Sequence, residues 1–226
     1  AQQLDRRDTL TTFCVPTGNF GNVFAGHCAR RMGLPIERLL VASNTNDILT
    51  RLIHTGTMTA EEVVPTLSPS MDIQISSNLE RLLFELLGAN GPATAELLTD
   101  FRASGSASLR PEQHAELIAG FAGGRLDDTE TLDVIRDIHD STGMLVEPHT
   151  AVGIGVARRL RRIDETVVTL ATAHPAKFPD AVEQATGVRP PLPAHLADLY
   201  ERTERVTDLS NDLATVEDFV DSVRYR

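Results

Sequence analysis

Short β-rich runs alternate with segments of helical spacing, and this alternation restricts the fold more than any other feature of the sequence. The run "TTFCV" precedes the helical segment "NVFAGHCARRM", and "RLLVAS" precedes "NDILTRLIHTG". Strands separated by helices usually pair in parallel, because each crossover helix returns the chain to the same end of the sheet. The pattern therefore predicts an α/β fold, with an open, mainly parallel sheet and flanking helices.

The middle of the sequence changes to amphipathic segments separated by Gly, Ser and Pro. The first of them, "SSNLERLLFELLG", repeats leucine along one helical face, and three more helical segments follow. We predict that this block is an all-helical insertion. The predicted division is an α/β segment over 1–76, the insertion over 77–142, a return to the α/β core over 143–190 and a C-terminal helical tail over 191–226.

The composition argues against several classes of function. The formal net charge is -11, whereas a protein that binds nucleic acid needs a basic face. Cys14 and Cys28 lie in no CxxC or Cys/His cluster, so we predict two reduced thiols and no metal site. The sequence opens with no signal peptide and contains no run of 18 apolar residues. We therefore expect a cytoplasmic protein with no nucleic-acid or membrane partner.

The stretch "VPTGNFGN" lies where the first predicted strand passes into the first predicted helix. Gly18 and Gly21 let the backbone approach a ligand, and the unpaired N–H groups of a helix's first turn attract an anion. Neither GxxxxGK[ST] nor GxGxxG occurs, so the loop matches neither the triphosphate nor the dinucleotide fingerprint. The residues alone leave two interpretations open: a phosphate-binding cup, or a glycine-rich turn with Asn22 as a helix cap.

Four more motifs follow this loop in order: "RMGLPIERLLVASNTNDIL", "LSPSMDIQISSNLERLLFELLG", "EPHTAVGIGVA" and "TAHPAKFPDAV". Together with the loop they make the sequence resemble the threonine synthases, over about residues 12–182. The resemblance implies the tryptophan-synthase-β-like fold and pyridoxal 5'-phosphate as the cofactor. It also implies the reaction, in which O-phospho-L-homoserine and water give L-threonine and phosphate.

The resemblance implies where the cofactor would bind. Its pyridine nitrogen would lie beside the hydroxyl of Thr172, at the end of "ETVVTLATA", a run that we predict to be a buried central strand. The alternative for Thr172 is a strand-end threonine that bonds the backbone. The cofactor phosphate would lie in a cup formed by Gly18, Asn19, Phe20, Gly21 and Asn22.

The sequence departs from the family at the catalytic lysine. The Schiff-base lysine of threonine synthases lies in an N-terminal region with no match here, and the one lysine present, Lys177, lies in a different motif. We therefore predict no catalytic residue in this chain and no covalent cofactor on Lys177. We expect the chain to be inactive without that N-terminal region, which would be its partner. Lys177 either contacts the substrate phosphate or lies on the surface.

Two other functions remain open on the sequence alone. A hydroxy-amino-acid dehydratase of the same fold would share the phosphate loop. A non-catalytic phosphate-binding module would use the loop without any cofactor chemistry.

Several polar residues outside the loop have both a ligand and a structural interpretation. Asn44, Asn46 and Asp47 follow the second strand, where α/β ligand sites gather, but helix capping also explains Asn46 or Asp47. Arg51 either meets a substrate phosphate or lies on a helix surface. His149 is expected to help begin a helix.

Overall fold

The computed structural model describes residues 10–224, which form two compact units; the first ends at Pro191 and the second begins at Leu192. The first unit is built on a sheet of four parallel strands in the order β5-β2-β1-β6, and β3 and β4 form a separate antiparallel pair. The strands are β1 (Thr11–Pro16), β2 (Ile36–Ser43), β3 (Thr57–Thr59), β4 (Ser106–Ser108), β5 (Phe121–Arg125) and β6 (Val167–Thr169).

Helices flank this sheet in the first unit, and one more helix lies in the second unit. They are α1 (Gly21–Arg31), α2 (Ile48–Thr55), α3 (Leu79–Leu86), α4 (Gly91–Ser104), α5 (Pro111–Gly120), α6 (Asp128–Thr142), α7 (Pro148–Leu160), α8 (Pro179–Thr186) and, in the second unit, α9 (Leu213–Arg224). Gly56 and Gly187 end α2 and α8 in the left-handed conformation, which glycine adopts without a steric penalty. Both ends agree with the sequence pattern.

The two faces of the sheet are buried against different helices, as alternation along the strands requires. On one face, Cys14 and Leu40 belong to a core cluster with Val152 and Val156 of α7. On the other face, Val15 and Val41 belong to the larger cluster, which includes apolar residues of α1 through α5. The prediction of an open parallel α/β sheet with flanking helices is confirmed.

The predicted insertion is not all-helical, because it contains β5, which pairs in parallel with β2. The sequence of β5, FAGGR, contains two glycines. Because glycine is depleted in strands, the sequence pattern did not predict a strand here. The glycines are explained by packing. A Cβ on Gly123 would lie 3.0 Å from Cα of Thr50 in α2, and one on Gly124 would lie 2.9 Å from a methyl group of Val156 in α7. Helices approach this strand closely on both faces.

The β-branched run predicted to be a buried central strand forms β6, a short strand at the edge of the sheet. Its residues are only half-buried, and within residues 10–224 it pairs with β1 alone. High β-propensity identified the strand correctly, but propensity reports fit to a pleated surface and not the position within the sheet. The proposed division of the chain at 76 and 142 stays a prediction.

Among residues 10–224, no helix combines the length and the apolar character that a membrane crossing requires.

Candidate anion-binding site

A cleft of about 270 Å³ opens beyond the carboxyl ends of β1 and β6. This is the edge at which parallel α/β sheets bind ligands. The cleft brings together sequence motifs that are up to about 160 positions apart in the printed sequence. Of the predicted cofactor-binding residues, five line it: Gly18, Asn19, Gly21, Asn22 and Thr172.

Phe20 belongs to the predicted loop and shapes it, but it does not line the cleft. Its ring is buried in the core, 6.1 Å from the ring of Phe121 between centroids. Its amide N–H already donates to Oγ1 of Thr17 at 2.9 Å, and its carbonyl accepts from Phe24. Phe20 also has a left-handed conformation, with φ 63°. That conformation is uncommon for a residue with a side chain and turns the chain sharply into α1.

The turn at Phe20 aims the N-terminus of α1 into the cleft. The first intrahelical hydrogen bond of α1 is donated by Phe24, so the N–H groups of Gly21, Asn22 and Val23 have no acceptor within the helix. These groups and the positive end of the helix dipole attract an anion. No side-chain cap bond is found at the start of α1, which argues against the simple capped turn. The geometry therefore favours the phosphate cup.

The two glycines of the loop differ in their surroundings. A Cβ on Gly18 would lie 2.9 Å from Cγ1 of Ile73 and 3.0 Å from Cα of Met71, so packing within the chain explains this glycine. A Cβ on Gly21 would have one neighbour within 4 Å, Nδ2 of Asn78 at 3.5 Å, which is ordinary contact. Gly21 leaves space in the cleft that no described protein atom fills, and this space fits a phosphate group held by backbone amides.

The segment that precedes α3 holds the loop in place. Asn78 donates from its backbone N–H and from Nδ2 to the carbonyl of Asn19, at 3.1 and 2.9 Å. Ser77 donates from Oγ to Oδ1 of Asn19 at 3.2 Å. Two motifs that are separated in the sequence thus form one structure around the candidate anion site.

Thr172 lies on the opposite wall of the cleft, three residues after β6 ends. Its side chain is exposed, and no hydrogen bond from its hydroxyl is found in the described part of the chain. The backbone-bonding alternative for Thr172 is therefore not observed.

An ion pair fixes the start of β6: Arg38 on β2 binds Glu165 through Nε and Nη2, at 2.7 and 2.6 Å.

Lys177 also lines the cleft, and its side chain is exposed. Its ammonium lies 5.6 Å from the centroid of the Phe178 ring, and no carboxylate within residues 10–224 forms an ion pair with it. His174, close by, accepts a hydrogen bond from the backbone N–H of Ala176 at Nδ1. This contact gives the histidine a structural role in its loop.

The polar residues after β2 have structural roles outside the cleft. Asn44 and Asn46 are buried and donate to Oδ1 of Asp72, at 2.7 and 3.0 Å. Asp47 precedes α2 without a side-chain cap bond and pairs instead with Arg51 at 2.9 Å. Arg51 also pairs with Glu61 at 2.9 Å, so its guanidinium is already neutralised. These contacts stabilise the segment that follows β3. They explain the polar residues after β2 without any need for a ligand.

Three further lining residues with polar side chains were not assigned to the site from the sequence: Thr17, Ser70 and His149. Thr17 had a local signal, because a Thr shortly before a helix often accepts an amide hydrogen bond. Ser70 and His149 had none, because they reach the cleft only through the packing of distant segments.

Comparisons with known proteins identify the chain's relatives. A family model described as "Threonine synthase, C-terminal" matches residues 150–220. The threonine synthase of Pseudomonas aeruginosa is 50% identical over 222 residues, which cover 97% of this chain and 47% of that protein.

Solved structures agree with this result. The structure of PLP-bound threonine synthase from Brucella melitensis has a TM-score of 0.89 and 46% identity, covering 97% of this chain and 47% of that one. The threonine synthase from yeast has a TM-score of 0.85 and 32% identity, covering 97% and 48%. The chain thus spans about half the length of the relatives it matches. By its sequence, its fold and the order of its motifs, the chain belongs to the threonine synthase family.

Proposed function

We propose that this chain supplies the phosphate-binding part of a pyridoxal-phosphate site. In the complete protein, this site would convert O-phospho-L-homoserine and water to L-threonine and phosphate. The observation that carries the proposal is the cleft itself. It is lined by Gly21 and Asn22 of the first turn of α1, by Thr172 and by Lys177, and this lining supports the proposal. The similarity to threonine synthases supports the same conclusion.

In this proposal the residues of the loop hold the cofactor's phosphate. Gly18 and Asn19 would form its floor, and the amides of Gly21 and Asn22 would donate to its oxygens, while Phe20 maintains the turn. The hydroxyl of Thr172 would bind the pyridine nitrogen. When bound, pyridoxal phosphate supplies an electron sink that stabilises negative charge at the substrate's carbon atoms. The chain's own residues bind and orient it.

Lys177 is the group we propose for the phosphate of the substrate. It is an exposed cation in the cleft without a carboxylate partner among the described residues. Its charge would orient the substrate so that phosphate leaves from Cγ and water adds at Cβ. As expected from the sequence, we do not assign it the covalent role. That role belongs to a lysine outside this chain, in the other half of the complete protein, which is the partner that the proposal requires.

A reduction experiment tests the division of roles. The chain is mixed with pyridoxal phosphate, treated with borohydride and analysed by mass spectrometry of its peptides. We expect no stoichiometric cofactor on Lys177 in the chain alone. Stoichiometric labelling of Lys177 would contradict the assignment.

The reaction is tested with the complete protein. We expect phosphate release from O-phospho-L-homoserine together with formation of threonine. Formation of a keto acid from a hydroxy amino acid would instead indicate a dehydratase. Binding pyridoxal phosphate no more tightly than inorganic phosphate would indicate a phosphate-binding module. A cytoplasmic location is part of the proposal, because amino-acid biosynthesis draws on cytoplasmic metabolites.

A further inference from the structure

A fully buried carboxylate lies directly behind the cleft. Glu147 is 0% exposed and precedes α7, where it accepts four hydrogen bonds. Two come from His149, from the backbone N–H at 2.9 Å and from Nδ1 at 2.6 Å. Two come from Thr150, from the backbone N–H at 2.7 Å and from Oγ1 at 2.6 Å. Burial raises the pKa of Glu147, but these bonds outweigh it and hold the pKa below its usual value. Glu147 is therefore an anion.

This carboxylate determines which nitrogen of His149 carries the proton. An ionised carboxylate only accepts, so Nδ1 of the imidazole donates to it. On the other side of the ring, the backbone N–H of Ser70 points at Nε2 over 3.2 Å. A backbone amide only donates, so Nε2 holds a lone pair. Both contacts are satisfied at once only by the neutral ring with its proton on Nδ1.

His149 also joins the two walls of the cleft. Ser70 lies in a short turn over Pro69–Met71, whose Met71 Cα abuts the backbone of Gly18 in the cup. The imidazole also packs against the ring of Phe178 at an interplanar angle of 51°, with 4.7 Å between centroids, and Lys177 is the residue before Phe178. One ring thus contacts the turn that supports the phosphate loop and the segment that carries the lysine.

We propose that His149 is a positioning residue for the anion site. As the neutral Nδ1–H tautomer it holds the Ser70–Met71 turn against Gly18, and through Phe178 it holds Lys177 at the cleft. The inference rests on the proposed function, since it concerns the same cleft. It differs from the sequence-based expectation, in which His149 only helped to begin a helix. The residue is 4% exposed, so it acts mainly through its neighbours.

Two substitutions of His149 separate this role from a purely structural one. In His149→Asn, the side-chain amide can still donate to Glu147 but is too short to accept from Ser70. In His149→Gln, the carbonyl oxygen can reach the position of Nε2 and accept from Ser70. Because each variant keeps one of the two contacts, the pair compares the Ser70 contact with the Glu147 contact. His195→Asn is the matched control, because it makes the same substitution at an exposed histidine that does not line the cleft.

The affinity for pyridoxal phosphate is measured in the complete protein, together with the unfolding temperature of each variant. We expect His149→Asn to bind about tenfold more weakly, the effect of one lost hydrogen bond. We expect His149→Gln, which keeps the contact to Ser70, to lose about threefold or less, and His195→Asn to match the unsubstituted protein. Equal affinity in the Asn and Gln variants, at any level, would overturn the inference, because the Ser70 contact would then make no difference.

A spectroscopic measurement decides the question even if the variants do not fold. Nitrogen-15 NMR of the unsubstituted protein should show a protonated Nδ1 and an unprotonated Nε2 on His149, and slow hydrogen exchange at the Ser70 amide. A proton on Nε2, or rapid exchange at Ser70, would refute the arrangement. Failure of the unsubstituted protein to bind pyridoxal phosphate would refute the proposed function, and the NMR result would still decide the inference about His149.

Discussion

Replacing Gly21 by alanine should weaken ligand binding without a loss of folding stability. The reason lies in the surroundings of this residue. A Cβ at position 21 meets only Nδ2 of Asn78, at 3.5 Å, and the backbone does not have the positive φ that demands glycine. Alanine is the better helix former by up to about 1 kcal/mol in a helix interior, and by less at a first position such as this one. We therefore expect an unchanged or slightly higher free energy of unfolding.

The same methyl group would occupy the space in which we place the phosphate. It would push the anion away from the first-turn amides of α1 and cost at least one hydrogen bond to a charged group. Such a bond contributes about 1.5–3 kcal/mol, and this corresponds to roughly a 10- to 100-fold loss of affinity. Titration of the complete protein with pyridoxal phosphate, and competition with inorganic phosphate, would measure the loss. Chemical denaturation of the same variant would measure the stability.

Gly18→Ala is the comparison variant, because it makes the same change in the same loop at a position where the added methyl group has no room. Its Cβ would lie 2.9 Å from the Ile73 side chain and 3.0 Å from the Met71 backbone. Overpacking of this kind typically costs about 1–3 kcal/mol, so this variant should lose stability as well as affinity. Unchanged affinity in a stable Gly21→Ala protein would refute the assignment of the phosphate to the first turn of α1.

Three further changes test other parts of the structure. Thr172→Val should weaken pyridoxal phosphate binding several-fold with less than about 0.5 kcal/mol change in folding stability, while Thr172→Ser retains binding; binding and thermal unfolding are measured together. The hydrogen bonds from Arg38 lower the pKa of Glu165 to about 2 from 4.5, so its contribution to stability, roughly 3 kcal/mol, is complete above pH 4.5 and is lost as the pH falls through about 2. Glu165→Gln should remove this contribution in acid titrations, whereas Glu112→Gln, which breaks an exposed pair with Arg110, should not. Burial raises the pKa of Cys14 to about 12, so iodoacetamide should modify the half-buried Cys28 in the native protein and Cys14 only after unfolding.

Features that depend on a few neighbouring residues could be predicted from the sequence. The strand before the loop, the helix after it and the glycine at the end of α2 all agree with the structure. Each follows from local spacing or local backbone freedom. The tight turn between β1 and α1 belongs to this group, because its glycines and the following helix are adjacent in the chain.

Features that depend on packing could not be predicted in this way. The strand β5 contains two glycines, which local propensity does not predict in a strand. Helices pack so closely on Gly123 and Gly124 that a side chain would not fit there. Phe20 has a sequence position inside the loop, but its side chain is drawn into the core next to Phe121. Ser70 and His149 meet only because two segments that are 79 residues apart fold against each other. In each case a long-range contact outweighs the local pattern.

The chain as a whole is negatively charged, whereas the described residues that line its cleft carry no negative charge. The chain has 32 acidic and 21 basic residues, which would repel an anion at long range. None of the described residues that line the cleft is acidic, however, and Lys177 is among them. Salt screens charges more than about 8 Å away under physiological conditions, whereas the first-turn amides of α1 would touch the anion directly. In the proposed site, binding would therefore depend on the backbone and one cation, and the acidic surface elsewhere would have little influence on it.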